Sequence, residues 1–123
     1  MFDHVSLKVK DSMKSTKFFA RALEPLGYRC TREYDGGAGF GRGDTTSLWI
    51  GQGDPHSPGV HVAFTAPDRP SVDTFHAAAL RAGGRDNGAP GIRESYGPTY
   101  YAAFVLDPDG NNIEAVCLKA SGK

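Results

Sequence analysis

An internal repeat constrains this chain more than any other feature of its sequence. Shifting the sequence by 57 residues aligns the two halves without a gap. The aligned pairs are His4 with His61, Val5 with Val62, Leu7 with Phe64, Asp11 with Asp68, Phe18 with Phe75, Ala22 with Ala79, Leu23 with Leu80 and Gly27 with Gly84. The period is too long for a solenoid, so it predicts two copies of one folded unit related by a pseudo-twofold axis.

Both copies show the same order of secondary structure. In the first, alternating hydrophobes over 4–9 predict a strand, apolar spacing over 12–26 predicts an amphipathic helix, and three short strands follow. These three strands are predicted over 28–34, 38–42 and 45–50. The second copy repeats the order with a strand over 60–66, a helix over 70–82 and strand segments near 85–94, 100–106 and 113–118. The apolar stripe of the second helix consists of Val72, Phe75, Ala79 and Leu80. The fold class is therefore α+β, with two βαβββ units over about 1–52 and 60–119, joined by a loop over 53–59.

Length and charge limit the possible partners. With 123 residues, the chain is long enough for one domain with a core, which we expect to span residues 1–123. Fourteen basic and fourteen acidic side chains give no net charge, so neither nucleic acid nor an anionic membrane is an expected partner. The N-terminus begins directly with a strand pattern, without a signal segment. We therefore expect a cytoplasmic protein that binds a small molecule or another subunit.

Glu114 is the most unusual residue in the predicted strands. Two apolar runs, 101–106 and 113–118, are joined by a turn of Asp, Pro, Gly and Asn residues, and Glu114 stands among the hydrophobes of the second run. A buried carboxylate is costly unless it has a partner, and a metal cation is one such partner. Glu114 therefore predicts a nearby cation or hydrogen-bonding group.

The repeat suggests which residues accompany Glu114. In the first strand of each unit the hydrophobes Val5, Leu7, Val62 and Phe64 should face the helix, which leaves His4 and His61 on the opposite face. If Glu114 also points there, two imidazoles and one carboxylate form a ligand set suited to Fe, Mn, Zn, Ni or Co. A lone strand histidine is more often part of the hydrogen-bonded structure, so the pairing by the repeat carries this prediction. Neither His56, in a Pro-rich loop, nor His76, on the outer face of a helix, is predicted as a ligand.

Together these features resemble the vicinal oxygen chelate superfamily, also called the glyoxalase/bleomycin resistance/extradiol dioxygenase superfamily. The resemblance covers essentially the whole chain and rests on the repeat, on His4 and His61, and on the segment AFVLDPDGNNIE over 103–114. It implies a partly open, cup-shaped mixed β-barrel with the helices on the outside, and a divalent metal held by His4, His61 and Glu114. Members of this size are usually homodimers whose sites combine units of both subunits, so His4 can meet His61 and Glu114 of the other chain.

The resemblance also limits which reaction is expected. Glyoxalase I enzymes carry a further ligand and base on the last strand of the first unit, and aligning Leu48-Trp49-Ile50 with Ile113-Glu114-Ala115 places Trp49 there. Tryptophan can neither bind a metal nor carry that proton, which counts against lactoylglutathione lyase activity. Fosfomycin-resistance enzymes have a substrate tyrosine where this chain has Phe104, which argues against phosphonate binding. Extradiol dioxygenases share the ligand set but also need another histidine and a tyrosine.

The sequence thus predicts a metal-dependent enzyme that acts on a small oxygenated substrate chelated to the metal. Glyoxalase-like lyase or isomerase chemistry is the first expectation, and an extradiol-type dioxygenase is an alternative. Strand parity favours Tyr100 over Tyr101 for the pocket, so the expected substrate-binding residues are Trp49, Tyr100 and Phe104, while no catalytic residue is assigned.

A second alternative is a metal-free binding or sequestering protein of the bleomycin-resistance type. In that protein His4, His61 and Glu114 would only hydrogen-bond one another. Arg42, Arg85 and Arg93 are expected to be surface charges, any one of which could bind a substrate carboxylate.

Overall fold

The computed structural model describes residues 2–55 and 59–120, so His56 of the predicted loop lies outside the described residues. In chain order its elements are β1 (Val5–Val9), α1 (Ser12–Leu23), a 3₁₀ helix (Glu24–Leu26), β2 (Arg29–Tyr34), β3 (Gly37–Arg42), β4 (Thr45–Gln52), β5 (His61–Thr65), α2 (Arg69–Arg81), β6 (Arg85–Ile92), β7 (Tyr101–Leu106) and β8 (Asn112–Cys117). This order is βαβββ twice, which confirms the α+β fold class predicted from the repeat. No helix among the described residues is long and apolar enough to cross a membrane.

The strands form two four-stranded mixed sheets that are not closed onto one another. Their strand orders are β1-β4-β3-β2 and β5-β8-β7-β6. In each sheet the first strand of the unit pairs in parallel with the last, and the other neighbours are antiparallel. The first strand of each unit therefore lies at one edge of its sheet, beside the strand that carries Trp49 or Glu114.

The two helices begin at equivalent residues. The side chains of Asp11 and Asp68, which the repeat aligns, accept hydrogen bonds from the backbone N–H groups of Lys14 and Ser71 at 3.1 and 2.8 Å. Such N-caps satisfy donors that the first turn of a helix leaves free. At its other end α1 stops at Leu23 instead of continuing to residue 26, because Pro25 has no N–H to donate and the chain tightens into the 3₁₀ turn.

Both helices and the outer faces of both sheets share one hydrophobic core. Phe18 and Phe19 of α1 meet edge to face, with ring centroids 5.0 Å apart, and both are fully buried. Phe75 of α2 and Ile113 of β8 belong to the same buried cluster. We call the face of each sheet turned away from this core its cup face; in the second sheet it carries His61, Ala63, Ala102, Phe104 and Glu114.

Two residues predicted to be buried are exposed. Leu80 is 37% exposed, because α2 turns Val72, Phe75, Ala78 and Ala79 toward the core and Leu80 falls beside that stripe. Val5 is also 37% exposed, at the start of the edge strand β1. The sequence-based prediction was wrong at both positions, because an apolar residue at the margin of a pattern does not show where the neighbouring element ends.

The hairpin between β7 and β8 is organised by a buried aspartate. Asp107 Oδ1 accepts hydrogen bonds from the backbone N–H groups of Asp109 and Asn111 at 2.9 and 2.8 Å, and Oδ2 accepts one from the Asn111 side chain at 2.9 Å. Burial nevertheless raises the pKa of Asp107. At the tip, Asp109 accepts hydrogen bonds from the Lys10 N–H at 3.0 Å and the Ser15 hydroxyl at 3.3 Å. The turn therefore fixes the start of β8 and fastens it to the first unit.

The repeat supplies a matched pair of leucines for testing the core. Leu23 is fully buried, whereas its repeat mate Leu80 is partly exposed. We expect Leu23→Ala to lower the free energy of unfolding by about 2–5 kcal/mol, because it opens a cavity. Leu80→Ala should lower it by about 1 kcal/mol or less. Urea denaturation followed by circular dichroism measures both, and equal losses would contradict the shared core described above.

Candidate functional site

The carboxylate of Glu114 is buried, and both of its oxygens are hydrogen-bonded. The residue is 2% exposed. Its Oε1 lies 2.8 Å from Nε2 of His61, and its Oε2 accepts a hydrogen bond from the Tyr100 hydroxyl at 2.5 Å. These contacts are the partners that a buried carboxylate requires.

Strand register brings these three residues together. Glu114 of β8 lies opposite Ala63 of β5 on one side and Phe104 of β7 on the other. His61 is two residues before Ala63, so it projects from the same cup face. Tyr100 lies just before β7 and four residues from Phe104, so the two side chains project from the same face of the sheet. Tyr101 points to the opposite side and donates its hydroxyl to Asp73 of α2 at 2.6 Å.

His61 links the buried carboxylate to solvent. Its side chain is 52% exposed, whereas that of Glu114 is 2% exposed. The imidazole ring lies 6.2 Å from the Phe104 ring, centroid to centroid. Tyr96 contacts Tyr100 edge to face at 5.2 Å. The site therefore combines a buried carboxylate, a solvent-exposed imidazole and flanking aromatic rings.

Tyr100 acts as a hydrogen-bond donor over the whole physiological pH range. Burial, together with the hydrogen bond to Glu114 and the charge of that carboxylate, raises the pKa of Tyr100 to about 12. A phenol with this pKa stays protonated at pH 7. Tyr100 is thus suited to hold Glu114 in one orientation and unsuited to serve as an anionic ligand.

The structure places His4 apart from His61 and Glu114. His4 is exposed, and its Nδ1 lies 2.8 Å from Oδ1 of Asp3. It lines a cavity of about 390 Å³ together with residues of β1, β3, β4 and β5. Nowhere in residues 2–55 and 59–120 do three His, Cys, Asp or Glu side chains come together to hold a metal. One chain thus brings together two of the three predicted ligands.

The pair of His61 and Glu114 fits part of a metal site. An imidazole nitrogen and a carboxylate oxygen at 2.8 Å are donors that divalent first-row metals accept together. Tyr100 stays neutral, so it does not complete the set. A third protein ligand would have to come from outside the described part of this chain.

In the first unit an aromatic pair occupies the equivalent position. Ser6 lies opposite Trp49, just as its repeat mate Ala63 lies opposite Glu114, so Trp49 stands at the place of Glu114. Gly39 lies opposite Trp49, where the second unit has Phe104. A Cβ atom on Gly39 would lie 2.9 Å from Cζ3 of Trp49, so the indole rests directly on bare backbone.

Tyr34 extends this aromatic surface. Its ring centroid lies 6.3 Å from that of Trp49, and its hydroxyl donates to the Ile50 carbonyl at 3.0 Å. Tyr34 was not among the predicted site residues. Its signal was the alternation Gly37, Gly39 and Gly41, because glycine at every second position of a strand leaves one face open for neighbouring rings.

The remaining histidine that was excluded as a ligand lies away from the site. His76 of α2 has its Nε2 2.9 Å from Oδ1 of Asp86. This pair belongs to the helix side of the second sheet.

Comparison with known proteins identifies one protein family that matches this chain. The family model described as the Glyoxalase/Bleomycin resistance protein/Dioxygenase superfamily matches residues 1–115. No curated protein matches the chain.

Solved structures show the same fold over nearly the whole chain. A glyoxalase/bleomycin resistance protein from Albidiferax ferrireducens T118 is 31% identical, with 95% of this chain and 98% of that chain covered and a TM-score of 0.81. A structure from Bacillus halodurans is 26% identical, with 95% of each chain covered and a TM-score of 0.73. A lactoylglutathione lyase from Agrobacterium tumefaciens is 17% identical, with 95% and 92% covered and a TM-score of 0.66. At that identity the last comparison shows the fold alone.

Removing the Tyr100 hydroxyl should destabilise the protein. Tyr100→Phe leaves one oxygen of a buried carboxylate without its donor, and we expect the free energy of unfolding at pH 7 to fall by about 1–3 kcal/mol. Tyr96→Phe is the matched control, since its ring is exposed and contacts the same residue. Equal losses in the two variants, measured by chemical denaturation, would contradict a specific role for the contact with Glu114.

The raised pKa of Tyr100 also predicts a pH dependence. Because the pKa is higher in the folded than in the unfolded protein, the stabilisation is fully present below about pH 10, the unfolded value, and is lost as pH rises toward 12. The difference in stability between wild type and Tyr100→Phe should therefore be constant up to about pH 9 and shrink above pH 10. Denaturation series at several pH values measure it, and a difference that grows above pH 10 would be incompatible with the shift.

Proposed function

Because this chain belongs to the glyoxalase/bleomycin resistance protein/dioxygenase superfamily, we propose that it is a divalent-metal-dependent enzyme acting on a small oxygenated substrate. The observation that carries the proposal is the buried carboxylate of Glu114 beside the solvent-facing imidazole of His61. Glyoxalase-like lyase or isomerase chemistry is the first candidate. It agrees with the family match to residues 1–115.

Stability alone does not account for this pair. Burying a carboxylate costs free energy that its partners only partly return, and well-packed hydrophobic residues would stabilise the strand at least as well. Here the partner is an imidazole open to solvent, which a substrate or a metal ion can reach. A functional role explains both the burial of Glu114 and the exposure of His61.

The metal would be held by His61 and Glu114 of one chain and by His4 of a second copy. A homodimer supplies this third ligand without rearranging the chain, and the separation of His4 from the other two residues supports the proposal. Fe, Ni, Mn, Zn and Co all accept this set of donors. When bound, such a metal polarises adjacent substrate oxygens as a Lewis acid.

The protein's own residues position and shield the substrate. The Tyr100 hydroxyl holds Oε2 of Glu114 and leaves Oε1 directed at His61. The Phe104 ring borders the imidazole and excludes water on that side. If a second copy closes the cup, Trp49 and Tyr34 supply an aromatic wall opposite.

Trp49 bears on the choice of reaction. An indole offers neither a ligand nor a proton acceptor at the position equivalent to Glu114, so the proposed chemistry excludes a proton transfer through that position. This disfavours the lactoylglutathione reaction relative to other lyase or isomerase reactions.

The rival candidate is a metal-free protein that binds or sequesters a small molecule. It is favoured by one observation: both oxygens of Glu114 already have hydrogen-bond partners within the chain. In this case the cup would bind its ligand through the aromatic residues alone.

Co-expression of two variants tests the proposed dimeric site. In a heterodimer of His4→Ala and Glu114→Gln chains, purified through two different tags, one site carries both defects and the other none. We therefore expect each variant alone to lose bound metal and the heterodimer to regain about one half of the wild-type content, as two-fold symmetry requires. Elemental analysis of protein loaded with Co²⁺ or Ni²⁺ and freed of excess metal provides the measurement.

His76→Ala is the matched control, because this histidine lies on the helix side of the sheet. It should keep the full metal content. A heterodimer without metal, from a wild type that binds it, would rule out a site shared between chains. A wild type that takes up no metal would overturn the enzyme proposal and leave the binding protein.

A further inference from the structure

Arg93 lies on the cup face that carries Glu114. Gly88 of β6 pairs with Phe104, and the side chains of directly paired residues share a face. A Cβ atom on Gly88 would lie 3.1 Å from Nη2 of Arg93 and 3.0 Å from Cδ1 of Phe104. The guanidinium group therefore occupies the space above Gly88, on the same side of the sheet as Phe104 and Glu114.

The guanidinium group is held in a defined position. Its Nη1 donates to the Gly91 carbonyl at 3.0 Å, and its Nη2 donates to the Ala89 carbonyl at 2.7 Å. Its Cζ lies 5.3 Å from the centroid of the Phe104 ring. Exposed arginines are usually mobile, so these contacts reduce the entropy that Arg93 would lose on binding a ligand. Two of its five N–H groups are used, and three remain.

The charge of Arg93 is not neutralised by the described part of the chain. The ion pairs within residues 2–55 and 59–120 all join a histidine to an aspartate or glutamate, and none includes Arg93. The Phe104 ring that supports the guanidinium also borders His61, at 6.2 Å between centroids. Arg93 therefore has no ion-pair partner among the described residues, and it lies across the Phe104 ring from the His61–Glu114 pair.

We propose that Arg93 is the anion-binding residue of this site and that the substrate is a small oxygenated carboxylate. The planar fork of arginine matches a carboxylate with two parallel hydrogen bonds. With its carboxylate at Arg93, a substrate would extend across the Phe104 ring toward the His61 imidazole, which lies beyond that ring. This inference rests on the proposed function, to which it adds the substrate class.

Two probes that differ in charge test the proposal. Pyruvate carries a carboxylate, and methyl pyruvate has the same ketone with a neutral ester. We expect wild-type protein to bind pyruvate at least about tenfold more tightly, since a charge-assisted hydrogen bond is worth that factor or more. Chemical-shift changes in two-dimensional NMR spectra give both affinities, including weak ones.

Substitution then assigns the preference to one residue. Arg93→Gln should lower pyruvate affinity about tenfold and leave methyl pyruvate affinity unchanged. Arg85→Gln is the control, because Arg85 is an exposed arginine at the start of β6, the strand that ends just before Arg93. It should change neither affinity. The NMR spectra also show whether each variant keeps the fold.

The titrations are run on chelator-treated and on metal-loaded protein, so that the two proposals can fail separately. A preference for pyruvate that persists without metal and disappears in Arg93→Gln supports the anion site, even if no metal ever binds. Equal affinity for both probes, or no binding of either, overturns it, even in a protein that binds metal. An equal loss in Arg85→Gln, or a parallel loss of methyl pyruvate affinity in Arg93→Gln, also overturns it.

Discussion

The burial of the Glu114 carboxylate is the constraint on which the rest of the site depends. A charge inside a strand needs partners on both of its oxygens, and here they come from two other segments, His61 at the start of β5 and Tyr100 before β7. Both hydrogen bonds to the Glu114 carboxylate therefore form only when β5, β7 and β8 keep their register. A shift of a single residue in any of them would turn the partner to the opposite face of the sheet. The site and the second sheet thus stabilise each other.

The two units keep one architecture while their cup faces have diverged. In the first, Trp49 lies over a strand with glycines at every second position; in the second, Glu114 lies beside Phe104. The first cup face is thus centred on aromatic rings, and the second on a buried carboxylate and its imidazole partner. In the proposed dimeric cup, a substrate would lie between an aromatic wall and a polar one.

Much of the fold could be predicted because it follows from local patterns that occur twice. The strand alternation around Leu7 and the capping aspartates Asp11 and Asp68 depend only on neighbouring residues, so the order of elements was recognisable. Leu80 and Val5 were placed wrongly, since their exposure depends on where a different element ends. Tyr34 was overlooked because its role, too, depends on a different element. Its role depends on glycines in another strand, and a linear pattern does not show which ring will cover them.

The duplication, the α+β class, the equivalence of Trp49 to Glu114 and the need of a strand carboxylate for partners could all be inferred from the amino-acid sequence alone. These follow from periodicity and from the cost of burying charge, which act along the chain. His61 was expected beside Glu114, and Tyr100 in the pocket, and the folded structure shows that these two contact the carboxylate while His4 does not. It joined Glu114 to His61 and Tyr100, placed Arg93 across the Phe104 ring and left His4 elsewhere. Such contacts depend on strand register and on bulges, which bring together residues far apart in sequence.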